Sequence, residues 1–396
     1  MQTFRLLTAA LLIRSLTASV VAAPAAEVAA ASRPVAFQIT VPEGSGTVYL
    51  TGNRPELGPW LPGQFALAGQ GRERTATLDV PAGTMLEFKF TRGAWVTVET
   101  TTAGIDIPNR TYTVPTAGDA TYAGTVAGWH PGLSAVKKST ATASVSLLST
   151  NFPLPQLGRT RRIWLYLPPD YATTTNRYPV LYLADGQNVF DATTSFAGEW
   201  GVDETLDQMS REGDPGCIVV AVENSAHRTD EYNPWKNSAH PERGGGEGGQ
   251  YVEFLIHSLK PYVDGHYRTR PDRLHTGVVG SSAGALISLY AALQHPEVFG
   301  RAGLFSCASW IVPEEMFACI RNARLPPDAR FYFVCGESEA PAGIYAKHQR
   351  ALVAQLGQAG FASTDQVRAV TRFDGQHAEW FWRREFPAAY RWLFAE

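Results

Sequence analysis

One five-residue segment of this chain has the residue types and spacing of an activated serine. Residues 280–284 read GSSAG, follow the short apolar run Gly277 to Val279 and precede the helical pattern Ala285 to Leu293. A serine on a sharp turn between a strand and a helix projects its hydroxyl above the sheet, and its neighbours must be small because the backbone passes close by. This context favours a catalytic Ser282 over an ordinary glycine-serine turn.

A serine hydroxyl becomes a good nucleophile when a histidine accepts its proton. Sheets that carry such a serine have the acid before the histidine along the chain. Of the nine histidines, only His377 follows the last predicted strand, and it is the candidate base. The acid is expected after the preceding strand, where Glu339 is the first choice and Glu337 the second. Asp374, which shares the loop of the histidine, is the third.

Two backbone N–H groups are candidates for an oxyanion hole. Ala283 begins the predicted helix, and the helix N-terminus favours a developing negative charge. Gln187 lies in the loop after the predicted strand Tyr178 to Ala184. Because Asp185-Gly186 is also a common turn pair, a plain turn is the alternative for this loop.

Arg228 and Trp380 are candidates for contact with a substrate. Arg228 follows a predicted strand, at the carboxyl end where ligands bind to such sheets. It could hold an acidic substrate group or pair with Glu231. Trp380, together with Trp200 and Trp235, could line an aromatic acyl pocket, although tryptophans also serve as core residues.

The elements that must position these side chains alternate between strands and helices from residue 145 to residue 396. This alternation predicts one α/β domain with a mostly parallel sheet that is covered on both faces. The predicted strands are 161–167, 178–184, 217–223, 274–279, 302–305, 330–334 and 368–373, and the predicted helices are 202–211, 251–263, 282–294, 345–359 and 378–393.

The chain before this domain has a different pattern. Residues 34–127 contain short β-like runs separated by Gly, Pro and Asn, which predicts a small all-β sandwich. Residues 134–150 are dominated by Ser, Thr, Ala and Val, and residues 128–144 are interpreted as a linker. Residues 1–26 have Arg5, an apolar stretch and small residues, which predicts a secretory signal peptide and a secreted or periplasmic protein. The predicted sandwich strands are 36–41, 47–51, 76–80, 86–91, 94–99 and 110–114.

Composition narrows the classes of partner and cofactor. The net charge of -3 gives no electrostatic reason to expect a nucleic acid or an anionic membrane. The four cysteines lack the spacing of a zinc site, so neither a metal nor another cofactor is expected. In an oxidising compartment Cys307 and Cys319 could pair, whereas Cys217 and Cys335 fit buried thiols.

The motifs of residues 145–396 together resemble the putative esterase family of α/β-hydrolases, which includes feruloyl esterases, enterochelin-type siderophore esterases and S-formylglutathione hydrolases. The resemblance implies an ester hydrolase with Ser282 as nucleophile, His377 as base and an acid in the turn Gly336 to Glu339. It rests on YLPPDY at 166–171, DGQNVF at 185–190, Arg228 with Glu231-Tyr232, GSSAG at 280–284, and His377 with Trp380.

The N-terminal domain resembles a starch-binding carbohydrate module, through VYLTGN at 48–53, LGPW at 57–60, EFKF at 87–90 and PNRTYTVP at 108–115. The resemblance implies that Trp60 stacks on a sugar ring and that Lys89 hydrogen-bonds sugar hydroxyls. Such modules have a second stacking tryptophan where this chain has Val98. Trp95 lies three residues earlier, and in a strand that offset points to the opposite face.

These features predict an exported serine carboxylic ester hydrolase with an ancillary β domain. The predicted substrate is an acetyl or feruloyl ester on a polysaccharide, with a glucan held by the N-terminal domain. A siderophore esterase is the alternative, and a carbohydrate-binding protein with a vestigial hydrolase domain is a second. A peptidase or lipase on the same fold is less consistent with the sequence, because nothing specifies an amide leaving group or a large apolar lid.

Overall fold

The computed structural model describes residues 32–394, except 59, 105–106, 108, 131–137, 196–197, 237–243, 338 and 340–342. The predicted signal peptide, residues 1–26, lies outside the described residues. Among the helices that are described, none is long and apolar enough to cross a membrane.

The N-terminal part is all β. In the first strand Val35, Phe37 and Ile39 are buried and alternate with more exposed residues, as expected for a strand with one face on a core. Three sheets form, with strand orders β4-β1-β8, β3-β2-β5-β7 and β6-β9. The strands are β1 (Ser32–Thr40), β2 (Tyr49–Gly52), β3 (Phe65–Ala66), β4 (Glu73–Pro81), β5 (Met85–Thr91), β6 (Glu99–Thr100), β7 (Arg110–Thr113), β8 (Thr121–Thr125) and β9 (Gly128–Trp129).

The remainder of the chain builds one eight-stranded sheet of order β10-β11-β13-β12-β14-β15-β16-β17. The first two pairings, β10 with β11 and β11 with β13, are antiparallel, and the other strands are parallel. The strands are β10 (Val145–Leu154), β11 (Arg159–Tyr166), β12 (Val180–Ala184), β13 (Ile218–Val222), β14 (Thr276–Ser281), β15 (Arg301–Phe305), β16 (Arg330–Gly336) and β17 (Val367–Arg372).

Helices cover both faces of this sheet. One face packs on Leu206 and Phe386, from the first and last helices, and the other packs on apolar residues of α3 to α7. The predicted fold class, a mostly parallel α/β domain preceded by a small all-β domain, is confirmed. The helices are α1 (Val202–Arg211), α2 (Arg228–Glu231), α3 (Gly248–Phe254), α4 (Lys260–His266), α5 (Ala283–Gln294), α6 (Pro313–Asn322), α7 (Ile344–Gln358) and α8 (Glu379–Phe394).

Several elements differ from the sequence predictions, among them β3, β8, β9 and α2, which are absent from the predicted strands and helices. The sheet has an eighth strand, β10, which the sequence did not predict because this segment is rich in Ser and Thr. Helix α6 was not predicted, because it begins at Pro313 directly after a short turn. The strand predicted over residues 94–99 is wrong, since Trp95–Thr97 forms a turn of 3₁₀ helix and only Glu99–Thr100 is extended.

Residues 139–144 lie against acidic side chains of the α/β domain. The Thr142 N–H donates to Asp203 Oδ2 at 2.7 Å, and the Ser144 hydroxyl donates to Asp207 Oδ1 at 3.0 Å. Asp203 is fully buried. Burial raises the pKa of Asp203 to about 8, although the hydrogen bond from Thr142 acts in the opposite direction.

Replacement of Asp203 by Asn tests this burial. The pKa of this carboxyl group is about 8 in the folded chain and about 4 in the unfolded chain. The folded chain therefore binds the proton more tightly. The free energy of unfolding therefore falls as the pH rises through this window. Asp203→Asn keeps an oxygen for the Thr142 N–H but does not titrate. We expect urea midpoints of the variant to fall less than those of wild type between about pH 5 and about pH 8.

The exposed Asp119 provides the matched control. Asp119→Asn should follow the wild-type pH dependence. If the urea midpoint of Asp203→Asn falls with rising pH as much as that of wild type, the raised pKa of Asp203 is contradicted.

Candidate active site

Ser282 occupies a strained turn between β14 and α5. Its backbone has φ 57° and ψ -122°, a conformation that non-glycine residues rarely adopt. Gly280 and Gly284 permit the turn, because a Cβ on Gly280 would lie 2.4 Å from the backbone of Gly284. The Ser282 N–H donates to the Phe305 carbonyl at 2.9 Å, and the Ala308 N–H donates to the Ser282 carbonyl at 3.1 Å. The neighbouring strand β15 thus holds the turn in place.

His377 and Glu339 are brought together from the ends of β17 and β16. His377 Nδ1 lies 3.2 Å from Glu339 Oε2, and Glu339 is only 2% exposed. The other carboxylate oxygen, Oε1, accepts hydrogen bonds from the Gly336 N–H at 2.8 Å and the Ser306 hydroxyl at 2.9 Å. The Ser306 oxygen in turn accepts from Trp382 Nε1 at 2.9 Å. A buried carboxylate needs such partners, and here they fix its orientation toward the imidazole.

The other two candidate acids face elsewhere. Glu337 lies 3.5 Å from the exposed Arg350. Asp374 forms an ion pair with Arg384 at the surface, and this contact holds the pKa of Asp374 below its usual value. Among the three candidate carboxylates, Glu339 is the one that contacts His377.

The loop after β12 is held by an ion pair close to the nucleophile turn. Asp185 has the left-handed φ of 58° and is 7% exposed. Its carboxylate accepts two hydrogen bonds from Arg228, at 2.7 and 2.8 Å, and one from Asn224 Nδ2 at 2.6 Å. A Cβ on Gly186 would meet the Ala221 backbone at 2.6 Å, so glycine is required where the loop crosses β13.

The two predicted oxyanion donors lie in rigid segments. Ala283 is the first residue of α5, so its N–H has no partner within the helix. The Gln187 side chain accepts from the Asn224 N–H at 3.1 Å, and its carbonyl accepts from the Thr194 hydroxyl at 2.7 Å. Neither the Ala283 nor the Gln187 N–H bonds another group in the described part of the chain.

Arg228 pairs with Asp185 and not with Glu231, which corrects one of the two sequence interpretations. Glu231 is fully buried and binds Arg159 and Arg161 instead. Burial opposes the charge of Arg228, but the neighbouring Asp185 carboxylate raises the pKa of the guanidinium above its usual value. The Arg228 side chain is 33% exposed, so part of it remains accessible from solvent.

The three tryptophans suggested for an acyl pocket have different environments. Trp200 is a core residue whose ring lies 4.8 Å from that of Phe305. Trp235 packs edge-on against Tyr290. Trp380 is 45% exposed at the start of α8 and is the most exposed of the three, whereas Trp235 is half-buried.

Tyr345 is a site residue that the sequence analysis missed. Its ring stacks on the imidazole of His377 with centroids 4.6 Å apart, and it meets Trp310 edge-on at 6.2 Å. Its hydroxyl is a neighbour of the Ser282 side chain, and the buried indole nitrogen of Trp310 has no hydrogen-bond partner in the described residues. No motif marks this tyrosine, because it lies in the first turn of a helix beyond the acid.

Within the described residues Ser282 and His377 are not hydrogen-bonded to each other, as is common before a substrate binds.

The N-terminal domain has an aromatic pair at its surface. The rings of Trp60 and Trp95 stack with centroids 6.2 Å apart and planes inclined by 29°. The strand alternation used to place Trp95 on the face opposite to Val98 does not apply, because residues 95–97 form a 3₁₀ turn. The Lys89 ammonium donates to the Ile107 carbonyl, which holds it beside the strand.

The described residues contain no cluster of His, Cys, Asp or Glu that could bind a metal ion. All four cysteines are buried as free thiols, so Cys307 and Cys319 are not paired. The turn at Ser282, the contact between His377 and Glu339, and the N–H groups of Ala283 and Gln187 can together support acyl transfer through a serine.

Comparison with known families divides the chain in two. The model described as "Putative esterase" matches residues 155–393, and the model described as "Starch binding domain" matches residues 32–123.

Known relatives cover different shares of the chain. The uncharacterized protein YbbA of Bacillus subtilis is 26% identical over 245 residues, which are 60% of this chain and 93% of that protein. An endo-1,4-beta-xylanase/feruloyl esterase of Xylanibacter ruminicola is 27% identical over 234 residues, 57% of this chain but only 28% of that larger protein. The enterobactin esterase structure of Shigella flexneri has a TM-score of 0.52 at 17% identity and covers 92% of this chain and 93% of its own. That similarity shows a shared fold.

The contact between Ser306 and Glu339 predicts a test of site assembly. Ser306→Ala removes one donor to the carboxylate and the acceptor for Trp382. We expect labelling of the protein by a fluorophosphonate to slow by roughly tenfold to a hundredfold, because a small misplacement of the acid disturbs the base. The rate is measured by mass spectrometry of quenched samples. Ser309→Ala is the matched control, since this buried hydroxyl has no hydrogen-bond partner among the described residues. Equal labelling of Ser306→Ala and wild type would show that the contact has no role in assembly.

Proposed function

Because the chain belongs to the putative esterase family, we propose that it is an exported serine carboxylic ester hydrolase that acts through Ser282, His377 and Glu339. The observation that carries this proposal is the strained turn at Ser282 beside a histidine whose Nδ1 faces a buried carboxylate. The sequence order of the three residues, serine, acid and histidine, is the one that such folds use.

The proposed reaction has two acyl-transfer steps. Ser282 Oγ attacks the ester carbonyl while His377 Nε2 accepts its proton, and Glu339 stabilises the imidazolium through Nδ1. The Ala283 and Gln187 N–H groups stabilise the oxyanion. The imidazolium then protonates the departing alcohol, which leaves an acyl group on Ser282. A water molecule, deprotonated by His377, releases the acid and restores the enzyme.

We infer that the ester is carried by a polysaccharide, as an acetyl or feruloyl group. Three observations support this class. Residues 32–123 match the starch-binding family, and Trp60 and Trp95 form an aromatic pair on that domain. A relative of the α/β domain is described as an endo-1,4-beta-xylanase/feruloyl esterase. Trp380 is exposed three residues beyond His377 and is the ring proposed to contact an aromatic acyl group.

Arg228, already paired with Asp185, is proposed to hold the loop of Gln187 and to offer its exposed edge to the substrate.

A siderophore lactone is the second candidate substrate. The fold shared with an enterobactin esterase extends over both domains, so this substrate belongs in the same panel. A vestigial hydrolase domain is disfavoured, because the serine, the histidine and the carboxylate are all present and the last two are in contact.

Export is proposed from residues 1–26 alone. Secretion or transfer to the periplasm would bring the enzyme to polysaccharides outside the cell. We propose no nucleic acid, membrane or cofactor as a partner.

Replacement of the nucleophile tests the catalytic proposal. We expect Ser282→Ala to lower kcat for p-nitrophenyl acetate by on the order of a millionfold, because the acyl-enzyme cannot form. Circular dichroism checks that the variant is folded, and Ser309→Ala serves as the matched control. The wild type is then tested on acetylated polysaccharide, feruloyl esters and a catecholate siderophore. Residual activity in Ser282→Ala equal to that of wild type would assign the nucleophile to another residue.

The aromatic pair of the N-terminal domain predicts glucan binding. We expect Trp60→Ala and Trp95→Ala each to weaken retention on soluble starch by about 1–3 kcal/mol, as loss of a stacking platform does for other ring ligands. Affinity electrophoresis gives the retention, and hydrolysis of p-nitrophenyl acetate should be unchanged. Phe373→Ala, which removes an 89% exposed ring from the α/β domain, is the control. Unaltered retention of both tryptophan variants would contradict sugar stacking at this pair.

A further inference from the structure

Tyr345 occupies a position that the proposed reaction does not yet use. It is 7% exposed, its ring stacks on one face of the His377 imidazole with centroids 4.6 Å apart, and its hydroxyl is a neighbour of the Ser282 side chain. The preceding Gly343 has φ 61°, and a Cβ there would lie 2.7 Å from the Glu337 carbonyl. This tight turn begins α7 directly beside the acid and fixes the first-turn tyrosine over the histidine.

The sheet order separates the groups around Ser282 into two sides. The loop of Gln187 follows β12, which pairs with β14 on one edge. Trp310, Tyr345 and His377 follow β15, β16 and β17, which lie on the other edge of β14. The oxyanion donors and Tyr345 therefore approach the nucleophile from opposite sides. The departing alcohol must lie on the histidine side, because it receives its proton from His377.

We propose that Tyr345 is a further catalytic residue, whose hydroxyl donates a hydrogen bond to the departing alcohol oxygen of the ester. This inference rests on the proposed esterase function. When the bond between the acyl carbon and the alcohol oxygen breaks, its electron pair goes to that oxygen. The His377 imidazolium transfers a proton to it, while Tyr345 keeps its own proton and only donates a hydrogen bond.

The surroundings of the phenol leave its proton available for this contact. In the described part of the chain the buried indole nitrogen of Trp310 has no hydrogen-bond partner, and no hydrogen bond to another residue engages the Tyr345 hydroxyl. The phenol proton is therefore free to point toward Ser282 and the reacting ester. Burial raises the pKa of Tyr345 well above its ordinary value, which keeps the phenol protonated at the pH values at which a histidine base is neutral.

Tyr345→Phe tests the proposal, because it retains the ring on His377 and removes only the hydroxyl. A hydrogen bond to a departing oxygen matters more as that oxygen becomes more basic. We expect kcat/KM, which reports the acylation step in which the alcohol departs, to fall by about tenfold for p-nitrophenyl acetate and by on the order of a hundredfold or more for an alkyl acetate. The measurement is kcat/KM for a series of acetate esters, plotted against the pKa of the leaving alcohol.

Tyr262→Phe is the matched control, since Tyr262 also stacks on a histidine, His266 at 4.0 Å, but belongs to α4. It should retain wild-type rates for every ester. A Tyr345→Phe variant with wild-type rates, or with the same loss for every leaving group, would overturn the proposal. Those outcomes leave the esterase proposal standing as long as wild type hydrolyses the esters and Ser282→Ala does not. If the wild type hydrolyses none of them, the esterase proposal fails instead, and the inference that rests on it falls as well.

Discussion

The left-handed backbone at Ser282 is the constraint on which the rest of the site depends. It places the serine side chain at the carboxyl edge of the sheet, and it is tolerated because Gly280 and Gly284 lack side chains where the strand and helix meet. Hydrogen bonds from both sides of the turn to β15 and its following loop oppose relaxation of this strain. The loops that carry the other groups of the site lie at the same edge of the sheet as the nucleophile, because the parallel strands end there.

The acid and the aromatic residues form a second layer that is buried more deeply than the nucleophile. Glu339 accepts hydrogen bonds from the backbone of Gly336 and from Ser306 on one oxygen, which leaves the other for His377. Trp382 supports Ser306, while Tyr345 covers the imidazole. A carboxylate with this many fixed partners has little freedom to turn away from the histidine. The chemistry proposed for this chain therefore relies on preorganised neighbours as much as on the three named residues.

Much of the fold and part of the site could be predicted from sequence. The parallel strands were recognisable because they are short apolar runs, and the serine turn because glycines must flank it. Arg228 illustrates what could not be predicted, since its partner Asp185 is 43 residues away and only the packed sheet brings them together. Tyr345 and Trp95 were missed or misplaced for a similar reason. Tyr345 lies in the first turn of a helix, where no sequence motif identifies it. Trp95 lies in a 3₁₀ turn within a segment whose sequence pattern resembles a strand.

The central claim is that Ser282 carries the acyl group during turnover. Rapid acid quenching of the wild-type protein with a feruloyl ester, followed by peptide mass mapping, tests this most directly. We expect a feruloyl group on the peptide that contains Ser282, formed before steady-state release of ferulic acid and absent when the protein is denatured before mixing. Sustained hydrolysis without any acylated peptide, or with the acyl group on another residue, would contradict it.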